Sequence, residues 1–135
     1  MDQLQFEDLL FKKSYPYVFK EAHQTIKEFY TDFKGFYAKN FFNNKETELY
    51  YFLADSVVKV EFNYDPKLET YKFPYKIRQY KSKINRKDLT YADSEVELTL
   101  ELEDNTIFYF NSKDDSNEKW QESYAENIIS IFKVI

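Results

Sequence analysis

The chain contains no cysteine. Disulfides, thiolate metal sites and a cysteine nucleophile are therefore excluded. There is a single glycine, Gly35. Glycine-rich phosphate loops and dinucleotide fingerprints need several glycines, because the backbone must approach a phosphate closely. Both are excluded. Turns must rest on Asn, Asp and the three prolines instead. His23 is the only histidine, so neither a zinc site nor a triad has a second imidazole to draw on. No apolar run approaches the ~20 residues a membrane-spanning helix needs. The opening Met1-Asp2-Gln3-Leu4-Gln5-Phe6-Glu7-Asp8 is acidic and has no signal-peptide core. The expectation is a cytoplasmic protein without a membrane span.

What the chain does have is rings and charge. Aromatic residues make up 21% of it, with 14 Phe and 13 Tyr. Rings bury large areas and favour strands, so the core is expected to be built from them. The length of 135 residues fits one domain, and the mixture of 43% hydrophobic and 32% charged residues is that of a globular chain. The formal net charge is -5. That disfavours nucleic acid as a partner, and equally nonspecific adhesion to an anionic membrane.

The first third, residues 1–47, reads as helical. Leu4, Leu9 and Leu10 mark a short amphipathic segment ending near Ser14. Pro16 suits the first turn of a second helix. Val18, Ala22, Ile26, Phe29 and Phe33 then recur at helical spacing. Gly35 is placed to stop that helix in a left-handed C′ conformation. Asn40 to Asn44 reads as a loop with buried anchors.

From residue 48 onward the pattern is an antiparallel sheet closed by a helix. Leu49 to Leu53 is an aromatic strand, and Ala54-Asp55-Ser56 a turn. Val58, Val60 and Phe62 alternate with Lys59 and Glu61. Leu68 to Ile84 holds one or two strands, where Pro74 argues for an edge, a bend or a bulge. Asn85 to Asp93 is polar enough for a loop. Val96, Leu98, Leu100 and Leu102 face one way and Glu95, Glu97, Thr99 and Glu101 the other. Asp104-Asn105 turns this strand into a returning one over Thr106 to Asn111. Asp115 and Glu118 have the offset of a capping box. Trp120, Tyr124, Ile128, Ile131 and Ile135 mark the buried stripe of the last helix. The expected fold is α+β: N-terminal helices, a curled sheet or barrel of about five to seven strands, and a C-terminal helix packed on it.

Two stretches carry a resemblance. Tyr50-Tyr51-Phe52-Leu53-Ala54-Asp55-Ser56 through Phe73-Pro74-Tyr75-Lys76-Ile77 resembles the opening hairpin and following strand of bacterial pleckstrin-homology-like domains. Pro74-Tyr75-Lys76-Ile77 is one residue short of the Pro-Tyr-x-x-Ile spacing found there. Phe108 to Asp115, followed by Trp120 and a terminal helix, is also similar. The chain further resembles a family of uncharacterised proteins of about this length from low-GC Gram-positive bacteria. The resemblance covers roughly residues 48–135. It implies a binding role by analogy of fold and carries no catalytic residue across.

Three groups of side chains could carry chemistry. Asp93, Glu95, Glu97, Glu101, Glu103 and Asp104 form an acidic run. Alternate strand residues stand about 7 Å apart, too far for neighbours to chelate one ion, so a solvated face is the plainer reading. Lys72, Lys76, Arg78, Lys81, Lys83, Arg86 and Lys87 form a basic run. It reads either as a patch for phosphate, a lipid headgroup or nucleic acid, or as a charge ladder across from the acidic strand. Tyr50, Phe52, Tyr64, Tyr71, Tyr80, Tyr91 and Phe41-Phe42 are more aromatics than one core needs, unless the sheet is buried on both faces. His23 reads as a surface or boundary residue, and Trp120 as a packing anchor. No cofactor or metal is indicated.

The reading that follows is a noncatalytic binding module for a protein or peptide partner, or a homodimer, with the ligand added along a sheet edge. Two alternatives stand beside it. One is a hydrolase using Glu97 or Glu101. The other is an anion-binding protein using Lys72, Lys76, Arg78, Lys81 and Lys83.

Overall fold

The computed structural model describes residues 1–12, 15–65 and 67–135, with side chains for all of these except 65 and 70–74. Among the described residues there are three helices and seven strands. Helix α1 is Gln3–Lys12 and α2 is Tyr17–Phe29. The strands are β1 Gly35–Lys39, β2 Glu48–Phe52, β3 Val57–Asp65, β4 Thr70–Tyr80, β5 Ile84–Ala92, β6 Glu95–Leu102 and β7 Ile107–Asn111. Helix α3, Gln121–Val134, closes the chain. The fold is α+β, every strand pairing is antiparallel, and α3 packs on β6, β1 and β7. The strands divide into two uncurled sheets, ordered β1-β2-β3-β4 and β5-β6-β7, instead of one continuous ladder. Residues 81–83 carry the chain from one sheet to the other.

In the first sheet β1 and β2 are buried on both faces, which explains the surplus of rings. One face presents Phe36, Tyr51 and Val58 in register. Helices α1 and α2 cover it, with Phe6 on Phe36 at 5.0 Å and His23 on Tyr51 at 5.8 Å between ring centroids. The opposite face presents Tyr37 and Tyr50 in register. Phe110 of β7 packs on both, at 4.7 and 4.8 Å. Rings of this size bury roughly 150–250 Å² each, so a few edge-on contacts hold the two sheets together. In β6, Val96, Leu98, Leu100 and Leu102 are fully buried and their odd-numbered neighbours are not. The alternation read in the sequence is the alternation of the strand.

Five local expectations need correcting. Helix α2 ends at Phe29, and Phe29 is exposed. Its buried face is Val18, Phe19, Ala22, His23 and Ile26. Gly35 does not cap it: no glycine has positive φ, and Gly35 opens β1. Strand β1 lies inside the stretch read as helical because Phe36, Tyr37 and Ala38 are all buried, and a strand covered on both faces has no alternation to read.

Residues 85–92 are strand, not loop. Strand β5 is exposed along most of its length, so nothing selects apolar residues there. Finally, Asp115 does not cap α3. The helix begins after Trp120, whose N–H donates to Asn117 Oδ1 at 3.0 Å. Asp115 is turned inward and buried.

Candidate functional site

The four outer edges of the two sheets are treated differently. The β1 edge is closed by α3: Asn127 Nδ2 donates to Phe36 O at 2.7 Å, and Tyr124 OH donates to Ala38 O. The β7 edge is closed by single side chains. Lys39 Nζ donates to Tyr109 O, and Asn111 N donates to Asp115 Oδ2 at 2.8 Å. Among the described residues, β4 and β5 are hydrogen-bonded on one side only. A free strand edge is a row of unmatched donors and acceptors, ready to pair with another extended segment.

Of these two edges, β5 is the more uniform. Its first half carries Arg86, Lys87 and Asp88. Arg86 Nε and Asp88 Oδ2 pair at 2.7 Å on the outward face. Lys87 Nζ lies over the Phe132 ring at 4.8 Å and donates to Ile135 O at 2.8 Å. A cation at a helix C-terminus is favourable, and this one ties β5 to the end of α3. The second half, Leu89-Thr90-Tyr91-Ala92, carries no charge. Leu89 packs on the core, while Tyr91 is 65% exposed.

The basic run is split. The side chain of Lys72 lies outside the described residues. Lys76 and Arg78 stand on β4 opposite Glu61 and Lys59 of β3, not opposite the acidic β6. The ladder expected between the two runs is therefore confined to β5, where Arg86 faces Glu101. Arg78, Lys81 and Lys83 line one shallow hollow with Glu103 and Asp104. Lys76 is not part of it. Two carboxylates beside three cations leave little positive field for a polyanion.

Glu97 and Glu101 point outward from the three-stranded sheet. Glu97 Oε1 accepts from Tyr109 OH at 2.9 Å and from Asn111 Nδ2 at 3.1 Å. Neither carboxylate lines any of four cavities formed by the described residues. Among the described residues, no group of three or more His, Asp or Glu side chains is placed to hold a metal ion. No helix among them is long and apolar enough to cross a membrane.

Sequence reasoning misjudged two polar clusters. His23 is 3% exposed, not a boundary residue. Its Nδ1 meets Tyr51 OH at 2.7 Å and its Nε2 meets Glu7 Oε1 at 2.9 Å. Burial holds the His23 pKa below its usual value, against the pull of Glu7. Burial pushes Glu7 up, but hydrogen bonds from His23, Gln3 and Lys27 outweigh it and bring the carboxyl to about 2.

The second cluster centres on Asp115, which accepts from Tyr37 OH at 2.7 Å and lies 3.6 Å from Lys39 Nζ. Burial raises its pKa, with Lys39 and the Asn111 N–H opposing. Among the described residues, no buried side-chain polar atom lacks a partner. Both clusters read as satisfied supports of the fold. Trp120 stacks on Phe42 at 4.6 Å and 5° between ring planes, an anchor at the start of α3.

A scan against protein-family models, a search of curated proteins and a search of solved structures each return no match for this chain.

Proposed function

We propose that this protein is a noncatalytic binding module that takes an extended segment of a protein partner along the free edge of β5. The observation that carries this reading is the contrast between edges. Those of β1 and β7 are closed by dedicated side chains, while among the described residues the outer edges of β4 and β5 are open, that of β5 over its nine residues. Main-chain pairing would supply affinity, and the uncharged Leu89–Ala92 half, with Tyr91 projecting beside it, would supply side-chain contacts. The pleckstrin-homology-like reading is proposed with it. Six antiparallel strands, β2 to β7, closed by a helix within residues 48–135 support that reading, with α1, α2 and β1 outside it.

The test is a photo-crosslinking amino acid placed at Thr90 in the source cell, with the same group at the exposed Glu28 on α2 as control. Position 90 is expected to yield one dominant protein adduct that position 28 does not. Tyr91→Lys, which adds charge to the edge, is expected to abolish it while far-UV circular dichroism stays unchanged. Equal, diffuse labelling at both positions would remove the proposal.

A further inference from the structure

We propose that the segment taken up by the open β5 edge is β5 of a second copy of this chain, in antiparallel register with Leu89 opposite itself. This identity of the partner rests on the open-edge reading and adds a symmetric dimer to it. Backbone direction fixes which groups the edge offers. In β6, Val96 N donates to Ser112 Oγ at 2.9 Å and Val96 O accepts from Ser112 N at 3.0 Å, so the even residues of β6 address the β7 side. Its odd residues address β5, as Glu103 N does in donating to Lys83 O at 2.9 Å. The β5 residues opposite them are Arg86, Asp88 and Thr90. Lys87, Leu89 and Tyr91 therefore turn their N–H and C=O groups to the open edge.

Symmetry limits the registers. A twofold axis normal to the sheet keeps every side chain on its own face. Residues directly opposite each other share a face, so β5 can meet its copy only with some residue opposite itself. Charge then chooses among these arrangements. Centring on Lys87 opposes two ammonium groups, and centring on Asp88 opposes two carboxylates. Like charges directly opposite are destabilising. Centring on Leu89 sets no charge against its own kind: Leu89 meets Leu89, Asp88 meets Thr90, Lys87 meets Tyr91 and Arg86 meets Ala92 of the second copy. Centres nearer either end leave more of the strand unpaired.

The same register gives Tyr91 a place. This ring is 65% exposed in the single chain. In the dimer it comes alongside Lys87 of the second copy, which lies over the Phe132 ring at 4.8 Å. A ring beside a cation and a second ring is favourable. The other open edge offers no such match. Strand β4 carries Lys72, Lys76 and Arg78 and no acid, so meeting itself would bring cations together. A β4–β5 contact between copies would be head-to-tail and would not close after two.

Sedimentation equilibrium of the full chain between about 1 μM and 1 mM, the span of weak association, is expected to show monomer and dimer and no larger species. Tyr91→Lys, which opposes a second ammonium to Lys87, is expected to weaken association at least tenfold. The register is read with cysteine, which the chain lacks. In a non-hydrogen-bonded antiparallel pair the Cα atoms stand about 4.5 Å apart, within reach of a disulfide. Asp88→Cys mixed with Thr90→Cys, both at exposed positions, is expected to give a mixed disulfide dimer on oxidation. Each variant alone is expected to cross-link at least tenfold more slowly. A chain monomeric throughout that range, or Asp88→Cys cross-linking with itself as fast as with Thr90→Cys, would overturn the proposal. The photo-crosslinker at position 90 tells this failure from failure of the edge reading. An adduct of twice the chain mass supports the dimer. An adduct with a different protein overturns the dimer and leaves the edge reading standing, and no specific adduct overturns both.

Discussion

His23 Nδ1 lies 2.7 Å from the hydroxyl of Tyr51, and both residues are buried. The partner on the other ring nitrogen decides the tautomer. Glu7, ionised, can only accept, so Nε2 carries the hydrogen, Nδ1 is bare and Tyr51 donates to it. Helices α1 and α2 and strand β2 thus meet in one chain of hydrogen bonds. Protonating His23 would set a hydrogen on Nδ1 against the phenol hydrogen, so the Tyr51 O–H would have to turn away.

That relationship gives stability a pH dependence. In the unfolded chain His23 takes up a proton as pH falls through about 6.5, while burial makes the folded chain resist it. The stabilisation is complete above the unfolded value and is lost as pH falls below it, at no more than about 1.4 kcal/mol per pH unit for one proton. The depressed Glu7 adds a second loss, from 4.5 down to about 2. Urea midpoints are expected to fall between pH 7.5 and 5.5, and to fall less steeply in His23→Gln, which starts less stable. A wild-type midpoint flat across that interval would contradict the assignment.

Asp115 ties the segment after β7 to the core. Asp115→Ala strands the Tyr37 hydroxyl and the Asn111 N–H, both buried. Leaving buried donors unpaired costs about 1–3 kcal/mol each. Tyr37 OH and Asn111 N both donate to the one oxygen Oδ2, so Asp115→Asn, with its single acceptor oxygen turned to that place, can still serve both and is expected to lose roughly half as much. Chemical denaturation of the two variants measures the difference, and equal losses would show that the hydrogen bonds are not the cause.

Gly35 is needed for space, not for backbone freedom. A Cβ there would meet Ile131 Cγ1 at 3.2 Å and Phe52 Cδ2 at 3.5 Å, with φ in the ordinary range. Helix α3 approaches β1 closely at this point. Gly35→Val is expected to destabilise by about 1–3 kcal/mol through overpacking, and Gly35→Ala by clearly less. A thermal midpoint unchanged in Gly35→Val would show that α3 yields freely.

The hollow formed by Arg78, Lys81 and Lys83 is countered by Glu103 and Asp104. The wild-type chain is expected to leave a heparin column at low salt. Glu103→Gln, which removes one countercharge and leaves the Asp104 bonds to Ser82 and Thr106 intact, is expected to elute later. Retention at high salt by the wild type would favour the anion-binding reading instead.

The sequence alone determined the class of the fold and its clearest strand. Val96, Leu98, Leu100 and Leu102 alternate because one side of β6 is core and the other is not. Trp120, Tyr124, Ile128 and Ile131 mark α3 for the same reason at helical spacing. Where that contrast fails, the sequence is silent. Strand β1 is covered on both faces and β5 on almost none, so neither shows a period of two. Only the tertiary structure decided which strand faces the basic β4, why the lone histidine is buried, and which sheet edges stay open. Each of these depends on residues far apart in the chain: Tyr51 with His23, Glu61 with Lys76, Asn127 with Phe36. Periodicity reports what a side chain faces, solvent or core. It carries no information about which distant segment supplies that core.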